Sequence, residues 1–202
     1  MSIKRSRLFV QVVLQKIPLF RADLLFKIKC KEVIFMTDSQ MPANGTPVSN
    51  YEGLLELLNK DAVLHQAVME EKGVQIPTQM GDLDSVLFMR WQDSDGIIQF
   101  IQAIPLEISE DKLWVMADAI TRLNHALAIP GFDLNHQARM LAYRLYLPIY
   151  PRQSVFSSEI QAMFRLTVKT ASKFMPVFKQ LIEGHILPSE FVDKAQRVWS
   201  EA

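Results

Sequence analysis

Residues 84–104, DSVLFMRWQDSDGIIQFIQAI, carry the clearest β-hairpin signal in the chain. The two arms, residues 84–92 and 97–104, are rich in β-branched and aromatic side chains, which favour strands. Between them stands Asp93-Ser94-Asp95-Gly96, whose Asp and Gly residues tolerate the backbone geometry of a tight turn. The stretch therefore predicts two antiparallel strands joined by a short connector.

The segment before this hairpin predicts one helix and one strand. Residues 50–72 carry apolar residues at helix-compatible spacing after a capping Ser49 or Asn50, with a break near residues 59–61 and an end near Gly73. Residues 74–79 include Pro77, which has no backbone N–H to donate and is therefore expected at a sheet edge. We expect a helix followed by a short edge strand.

The segment after the hairpin predicts two helices and two strands. Ser109 and a capping pair of Ser158 and Gln161 mark the two helix starts, and Pro176 predicts a kink near residues 172–174. The predicted elements are a helix over 109–128, strands over 132–135 and 139–150, and a helix over 158–183. The order α-β-β-(β)-α-β-β-α indicates an α+β fold, an antiparallel sheet flanked by helices.

Charge and composition divide the chain into a leader (1–36), a linker (37–49), one domain (50–184) and a C-terminal tail (185–202). The leader holds 8 Lys and Arg against 2 Asp and Glu, a formal charge of +6, and the remainder carries −6. An acidic domain does not attract phosphate backbones, so we expect no nucleic-acid partner. In the tail, Phe191 and Trp199 are the candidate anchors.

The leader admits several interpretations. Its basic start and short apolar run fit a secretory signal poorly, and they fit a membrane-surface segment or a transit peptide better. Translation from Met36 is the interpretation we favour, because a polar stretch typical of a floppy N-terminus follows it. A helix that spans a bilayer needs about 18 consecutive apolar residues, and charged residues interrupt every apolar run of this chain before it reaches that length. The single Cys30 forms no intrachain disulfide and favours a reducing, cytoplasmic location.

Two patterns carry a resemblance to a known family. Residues 123–132, LNHALAIPGF, lead into a strand with YRLYL at 143–147, and residues 171–176, ASKFMP, lie in the last long helix. With the element order, they resemble the YbjN family and its relatives with the type III secretion chaperone-like fold. The resemblance covers residues 50–184. It implies a helix-sheet-helix domain, frequently dimeric, that binds protein segments and has no catalytic residues.

The residues alone do not indicate catalysis or a metal. Asp93-Ser94-Asp95-Gly96 would place Trp91 and Gln102 at ligand positions of a calcium loop, which both residues fit badly, so a solvated turn is favoured. Asp82 and Asp84 are close enough to act as paired carboxylates, but strand-entry solvation is the simpler interpretation. We expect no cofactor. The four histidines lack metal-ligand spacing: His65, His125, His136 and His185.

The candidate binding residues are large aromatic side chains. Most of them are expected in the core, but alternation along a strand places Phe88 and Arg90 opposite Met89 and Trp91, so one set faces away from the helices. Aromatic residues on that outer face would make a docking surface or a dimer seam. The candidates for this protein-binding or dimer surface are Phe88, Trp91, Phe100, Trp114, Tyr143 and Tyr146.

These observations predict a non-catalytic, cytoplasmic protein-binding or regulatory module that forms a homodimer through its sheet or its central helix. A small enzyme that uses Asp82, Asp84 or a histidine in a cleft is the first alternative, and a deep polar pocket would favour it. A peripheral membrane protein anchored by residues 1–35 is the second alternative. The partner protein is not identified by the sequence.

Overall fold

The computed structural model describes residues 45–200, so the predictions on the leader and on most of the linker lie outside the described residues. This part of the chain is an α+β domain with the predicted alternation of helices and antiparallel strands. Its elements are β1 (Pro47–Val48), α1 (Tyr51–Lys60), β2 (Gln66–Val68), β3 (Gly73–Met80), β4 (Leu83–Gln92), β5 (Ile97–Ile104), α2 (Leu113–Ala126), β6 (Phe132–Asn135), β7 (Met140–Pro148), β8 (Val155–Phe156), α3 (Ser157–Ile182) and α4 (Pro188–Ser200).

The main sheet has six strands in the order β2-β3-β4-β5-β7-β6, and every neighbouring pair is antiparallel. The predicted hairpin is confirmed: Gln92 pairs with Ile97 across the turn, and Gly96 takes a φ of 63° there. Strand β2 pairs only with the first three residues of β3. Pro77 lies further along β3, where β2 no longer pairs with it. Its missing backbone N–H therefore leaves no hydrogen bond to β2 unmade.

The first helix is shorter than predicted. Asn50 caps it as expected, with its Oδ1 accepting from the Gly53 N–H at 2.8 Å, but the helix ends at Lys60 and does not continue to residue 72. Ala62 has a φ of 53°, so the chain leaves the helical path there. The next residues join the sheet as β2, and Leu64, which the helical spacing would bury, is 40% exposed.

The predicted capping pair of the last long helix is also wrong. The Glu159 carboxylate, and not a Ser158–Gln161 pair, begins α3 by accepting from the Phe156 N–H at 2.8 Å. The Gln161 amide instead donates to Asp61 Oδ2. The helix runs on through Pro176 to Ile182. The tail forms α4, which buries Phe191 and stacks Trp199 on Phe174.

All four helices of the described chain lie on one face of the sheet. Two core clusters form there: α1 and the start of α3 cover one end, and α2, α4 and the rest of α3 cover the other. Every sheet residue in either cluster belongs to the same face. These sheet residues are Val74, Ile76, Met80, Leu87, Met89, Trp91, Ile98, Phe100, Ile104, Phe132, Leu141, Tyr143, Leu145 and Leu147.

A buried polar group separates the two clusters. Gln102 is fully buried, and its amide nitrogen lies 2.9 Å from both Thr78 Oγ1 and Ser85 Oγ. Ser85 in turn donates to the Ala103 carbonyl at 2.6 Å. Because a buried amide costs free energy unless it is hydrogen-bonded, this network fixes the register of β3, β4 and β5.

Hydrogen bonds between Asn124 and the Gly131-Phe132 backbone join the end of α2 to the start of β6. We call this group of hydrogen bonds the clasp. The Asn124 Oδ1 accepts from the N–H groups of Gly131 and Phe132 at 3.1 and 3.0 Å, and its amide donates to the Phe132 carbonyl at 2.8 Å. Gly131 is required because a Cβ there would lie 2.3 Å from the Arg144 carbonyl oxygen. The Tyr143 hydroxyl donates to the Ile129 carbonyl at 2.9 Å and closes the loop.

We expect Asn124→Ala to lower the free energy of unfolding by about 1–3 kcal/mol, because it leaves three backbone groups of the clasp without partners. His125→Ala is the matched control, since His125 is the exposed neighbour on the same helix turn. Urea unfolding followed by circular dichroism measures both variants. Equal stability of the two would show that the clasp does not hold β6 in place.

Candidate functional site

The candidate functional site is the opposite face of the sheet, which we call the helix-free face. It is formed by the strand side chains that point away from the four helices, because successive residues of a strand point to opposite faces. The register places the central ones in three rows across the sheet, with Gln92, Ile97 and Pro148 beyond one end and Gln79 and Asp84 beyond the other. The rows are Gly73, Arg90, Gln99 and Tyr146; then Gln75, Phe88, Ile101 and Arg144; then Pro77 and Val86 with Ala103, Ala142 and Asp133.

The centre of the helix-free face is apolar and closely packed. Phe88 lies in the middle row with its ring over Gly73, where a Cβ would come within 2.5 Å of the ring. Val86, Ala103 and Ala142 are also buried. Glycine is needed at position 73 so that the Phe88 ring can lie flat against β3.

The rim of this face is polar. The Gln99 amide donates to the Tyr146 hydroxyl at 3.1 Å, and an Arg144 nitrogen lies 2.8 Å from an Asp133 carboxylate oxygen. An open hollow of about 330 Å³ lies at this rim, between the start of β6 and β7. Its lining residues are Pro130, Gly131, Phe132, Asp133, Arg144, Leu145 and Tyr146.

Three buried polar atoms at this face have no hydrogen-bond partner: Gln75 Oε1, Arg144 Nε and Glu71 Oε2. Glu71 lies in the short turn before β3, close enough to Arg90 for their charges to interact. Burial raises the pKa of the Glu71 carboxyl, the Arg90 charge lowers it, and the neighbouring Glu70 raises it. A buried polar atom without a hydrogen bond costs free energy, and these three atoms carry that cost at this face.

The six aromatic candidates do not lie on one surface. Trp91, Phe100 and Tyr143 are buried beneath the helices, and burial raises the pKa of the Tyr143 hydroxyl, opposed by a hydrogen bond with Thr170. On the helix-free face are Phe88, 1% exposed, and Tyr146, 50% exposed. Trp114 is 81% exposed at the start of α2, where its ring meets that of His136 edge to face.

The residues considered for catalysis are dispersed. Asp93 forms an ion pair with Lys72 and accepts a hydrogen bond from the Trp91 indole N–H. The Asp93 carboxylate is therefore bonded to side chains next to the turn. Asp82 and Asp84 are not among the lining residues of the hollow.

Residues 45–200 contain no group of three or more His, Cys, Asp or Glu side chains placed to hold a metal ion. Within the same range, no helix has the length and apolar character to cross a membrane.

Sequence reasoning missed Gln75, Arg144 and Glu71 as members of the site. Period-two alternation places Gln75 and Arg144 on the face of Phe88 once the register is known, but nothing in the sequence states the register. Glu71 falls in the segment that was predicted to be helical. The sequence signal that could have identified them is a polar residue within a predicted strand, Gln75 in residues 74–79 and Arg144 in residues 139–150.

The arrangement defines an α+β domain with helices on one face of an antiparallel sheet and an apolar second face with a polar rim. The sequence model of the YbjN family, described as "Putative bacterial sensory transduction regulator", matches residues 46–180. The match covers more than half of the chain, so this protein belongs to the YbjN family. Neither the curated proteins nor the solved structures gave a match. The family description is that of a regulator and names no reaction.

We expect Glu71→Gln to stabilise the protein at pH 7. The folded-state pKa of Glu71 is raised, so between its ordinary and its raised value the folded chain binds more protons than the unfolded chain, and stability falls as the pH rises through that interval. The gain should shrink as the pH falls and be lost below about 3.5, where glutamate is mostly protonated in both states.

Glu70→Gln is the control, because Glu70 is the exposed neighbour. Urea unfolding at both pH values gives the comparison. A gain for Glu71→Gln that does not change with pH would rule out burial of the carboxylate as its cause.

Proposed function

We propose that this YbjN-family protein is a non-catalytic regulatory module that acts by binding protein, and that a second copy of the chain binds its helix-free face to form a homodimer. The single observation that carries the proposal is the one-sided arrangement of the domain. Four helices cover one face of the sheet, and the other face presents an apolar centre with a polar rim. The accessible apolar side chains of that face, Ile101, Tyr146 and Pro148, favour association with another polypeptide.

The charges of this face favour a second copy as the occupant. Its strand residues include two basic side chains, Arg90 and Arg144, and two acidic ones, Asp84 and Asp133. The presence of both signs lets two identical faces meet about a two-fold axis with opposite charges apposed. Two sheets also pack face to face in many proteins, with the inner side chains interdigitating.

The type III secretion chaperone-like relationship and a cytoplasmic location belong to the same proposal. The chaperone-like fold rests on the resemblance in element order, and a helix-sheet-helix domain of that kind binds protein segments without chemistry. The single cysteine supports a reducing compartment.

Ile101→Glu should weaken the dimer, because it replaces an apolar side chain in the middle row of the helix-free face with a charged one that must lose its water on association. Trp114→Glu is the matched control: it puts the same charge on the central helix α2, which the proposed seam does not include. Light scattering of the full chain over a concentration series from micromolar upward measures the mass, and near-ultraviolet circular dichroism checks the fold.

Tyr146→Glu at the exposed rim repeats the test if Ile101→Glu fails to fold. Loss of the dimer with Trp114→Glu alone would place the seam on α2 and contradict the proposal. A strict monomer of the wild-type chain across the whole series would contradict the dimer itself.

A further inference from the structure

The outer edge of β7 extends past the start of β6. The Arg144 N–H donates to the Gly131 carbonyl at 2.8 Å, and no strand of residues 45–200 continues along that edge beyond this bond. On the other side of β7, the Ile149 N–H donates to the Gly96 carbonyl at 2.7 Å. Because the backbone groups of a strand alternate between its two neighbours, the even-numbered residues of β7 face the β6 side. The N–H and the carbonyl of Tyr146 therefore point to an open edge.

This open edge is one residue long. Pro148 is the next residue with the same orientation, and it has no N–H to donate. The Pro148 carbonyl already accepts from an Arg152 nitrogen at 3.3 Å. In the other direction, the Arg144 N–H is used by Gly131. Tyr146 thus presents one backbone donor and one backbone acceptor between two closed positions.

The hollow described above lies at this edge. Leu145 is among its lining residues although the Leu145 side chain is buried in the helix-side core, so the hollow reaches the backbone of β7 beside Tyr146. Its volume of about 330 Å³ is near the lower limit for ligand cavities. Such cavities measure about 300–1,000 Å³, so this one has room for a small molecule.

The side chains at the hollow carry both signs of charge. The Arg144 Nη2 lies 2.8 Å from an Asp133 carboxylate oxygen, and the Arg144 side chain is 32% exposed. The Arg144 Nε has no hydrogen-bond partner. Beside this pair lies the half-exposed Tyr146 ring, whose hydroxyl accepts from the Gln99 amide. A ligand that fits here carries both charges itself and has an apolar part to pack on the ring.

We propose that the hollow binds a free L-amino acid with an aromatic side chain. In an antiparallel pair, a residue exchanges two hydrogen bonds with the residue opposite through an N–H and a C=O that flank one Cα. A free amino acid carries its nitrogen and its carboxyl group at that spacing, so it can donate to the Tyr146 carbonyl and accept from the Tyr146 N–H.

The charges and the handedness of the ligand fit the same arrangement. The carboxylate of the amino acid is balanced by Arg144, and its ammonium group is balanced by Asp133. The L configuration places its side chain on the same face as the Tyr146 ring, as in any directly opposed pair of strand residues. The inference goes beyond the proposed function, since a small-molecule ligand needs no second copy of the chain.

L-Phenylalanine is the probe, and amide ¹H–¹⁵N spectra of the full chain give the readout. The amide signals of Leu145 and Tyr146 should shift and saturate with a Kd of about 1 mM, because only a few hydrogen bonds contribute. D-Phenylalanine should bind about fivefold more weakly, because its side chain would point away from the Tyr146 ring.

Four variants test the assigned groups. Tyr146→Pro removes the backbone donor at an open edge, where proline is tolerated, and should abolish binding. Tyr146→Val keeps that donor and should weaken binding by no more than about fivefold. Arg144→Gln removes the cation and should weaken binding by about tenfold or more. Arg122→Gln, which breaks an exposed pair with Asp118 on α2, is its control and should bind as the wild type does. The two arginine variants carry the test if Tyr146→Pro does not fold.

The outcomes decide between a free amino acid and a peptide. N-acetyl-phenylalanine methylamide keeps the N–H and the C=O but has no charge. If it shifts the same signals as strongly as L-phenylalanine, or if Arg144→Gln binds L-phenylalanine as well as the wild type does, the hollow recognises a peptide backbone and the inference is wrong. Shifts that do not saturate at several times the expected Kd also overturn it.

Light scattering of the same samples separates the inference from the proposed function. A dimer that gives no saturable shifts with L-phenylalanine overturns the inference and leaves the proposed function standing. Saturable binding by a strict monomer supports the inference and contradicts the homodimer.

Discussion

The constraint on which the structure depends is that a β-sheet has two faces and the helices of this domain cover only one. Six antiparallel strands fix the alternation, so each strand sends half of its side chains to either side. In a surface sheet the second face would be polar, as is common for antiparallel sheets. Here Val86, Phe88, Ala103 and Ala142 make it apolar. The proposed homodimer would place a second sheet against this face.

Polar groups, and not the apolar core, determine how the strands and helices are aligned. Gln102 divides the helix-side core between its two clusters and can bond to Thr78 and Ser85 in only one register. Asn124 holds β6 beside α2 through three backbone groups. Asn124, one of the residues that carry the family resemblance, thus has a structural role. Membership of the YbjN family indicates how the chain folds and leaves the choice of partner to the surface.

Much of the fold could be predicted from local patterns. The hairpin at residues 84–104, the strands at 132–135 and 140–148 and the long helix before Gly184 follow from two-residue or 3.6-residue periodicity. The first helix was predicted too long because Leu64 and Val68 keep a helical spacing, although Ala62 adopts a left-handed backbone conformation and the next residues gain strand bonds to β3. Tertiary pairing overrode local spacing at that point.

The proposed binding face was harder to predict, because which side of the sheet the helices cover is not a local property of the sequence. Alternation shows that Phe88 and Trp91 lie on opposite faces, but which face the helices cover depends on contacts between elements far apart in sequence. Residue type does not settle it: Trp91, Phe100 and Tyr143 are core residues, whereas Trp114 and Tyr146 are exposed. Polar residues were more informative than aromatic ones. Oε1 of the buried Gln75 and Oε2 of the half-buried Glu71 have no hydrogen-bond partner, and both atoms lie outside the helix-side core.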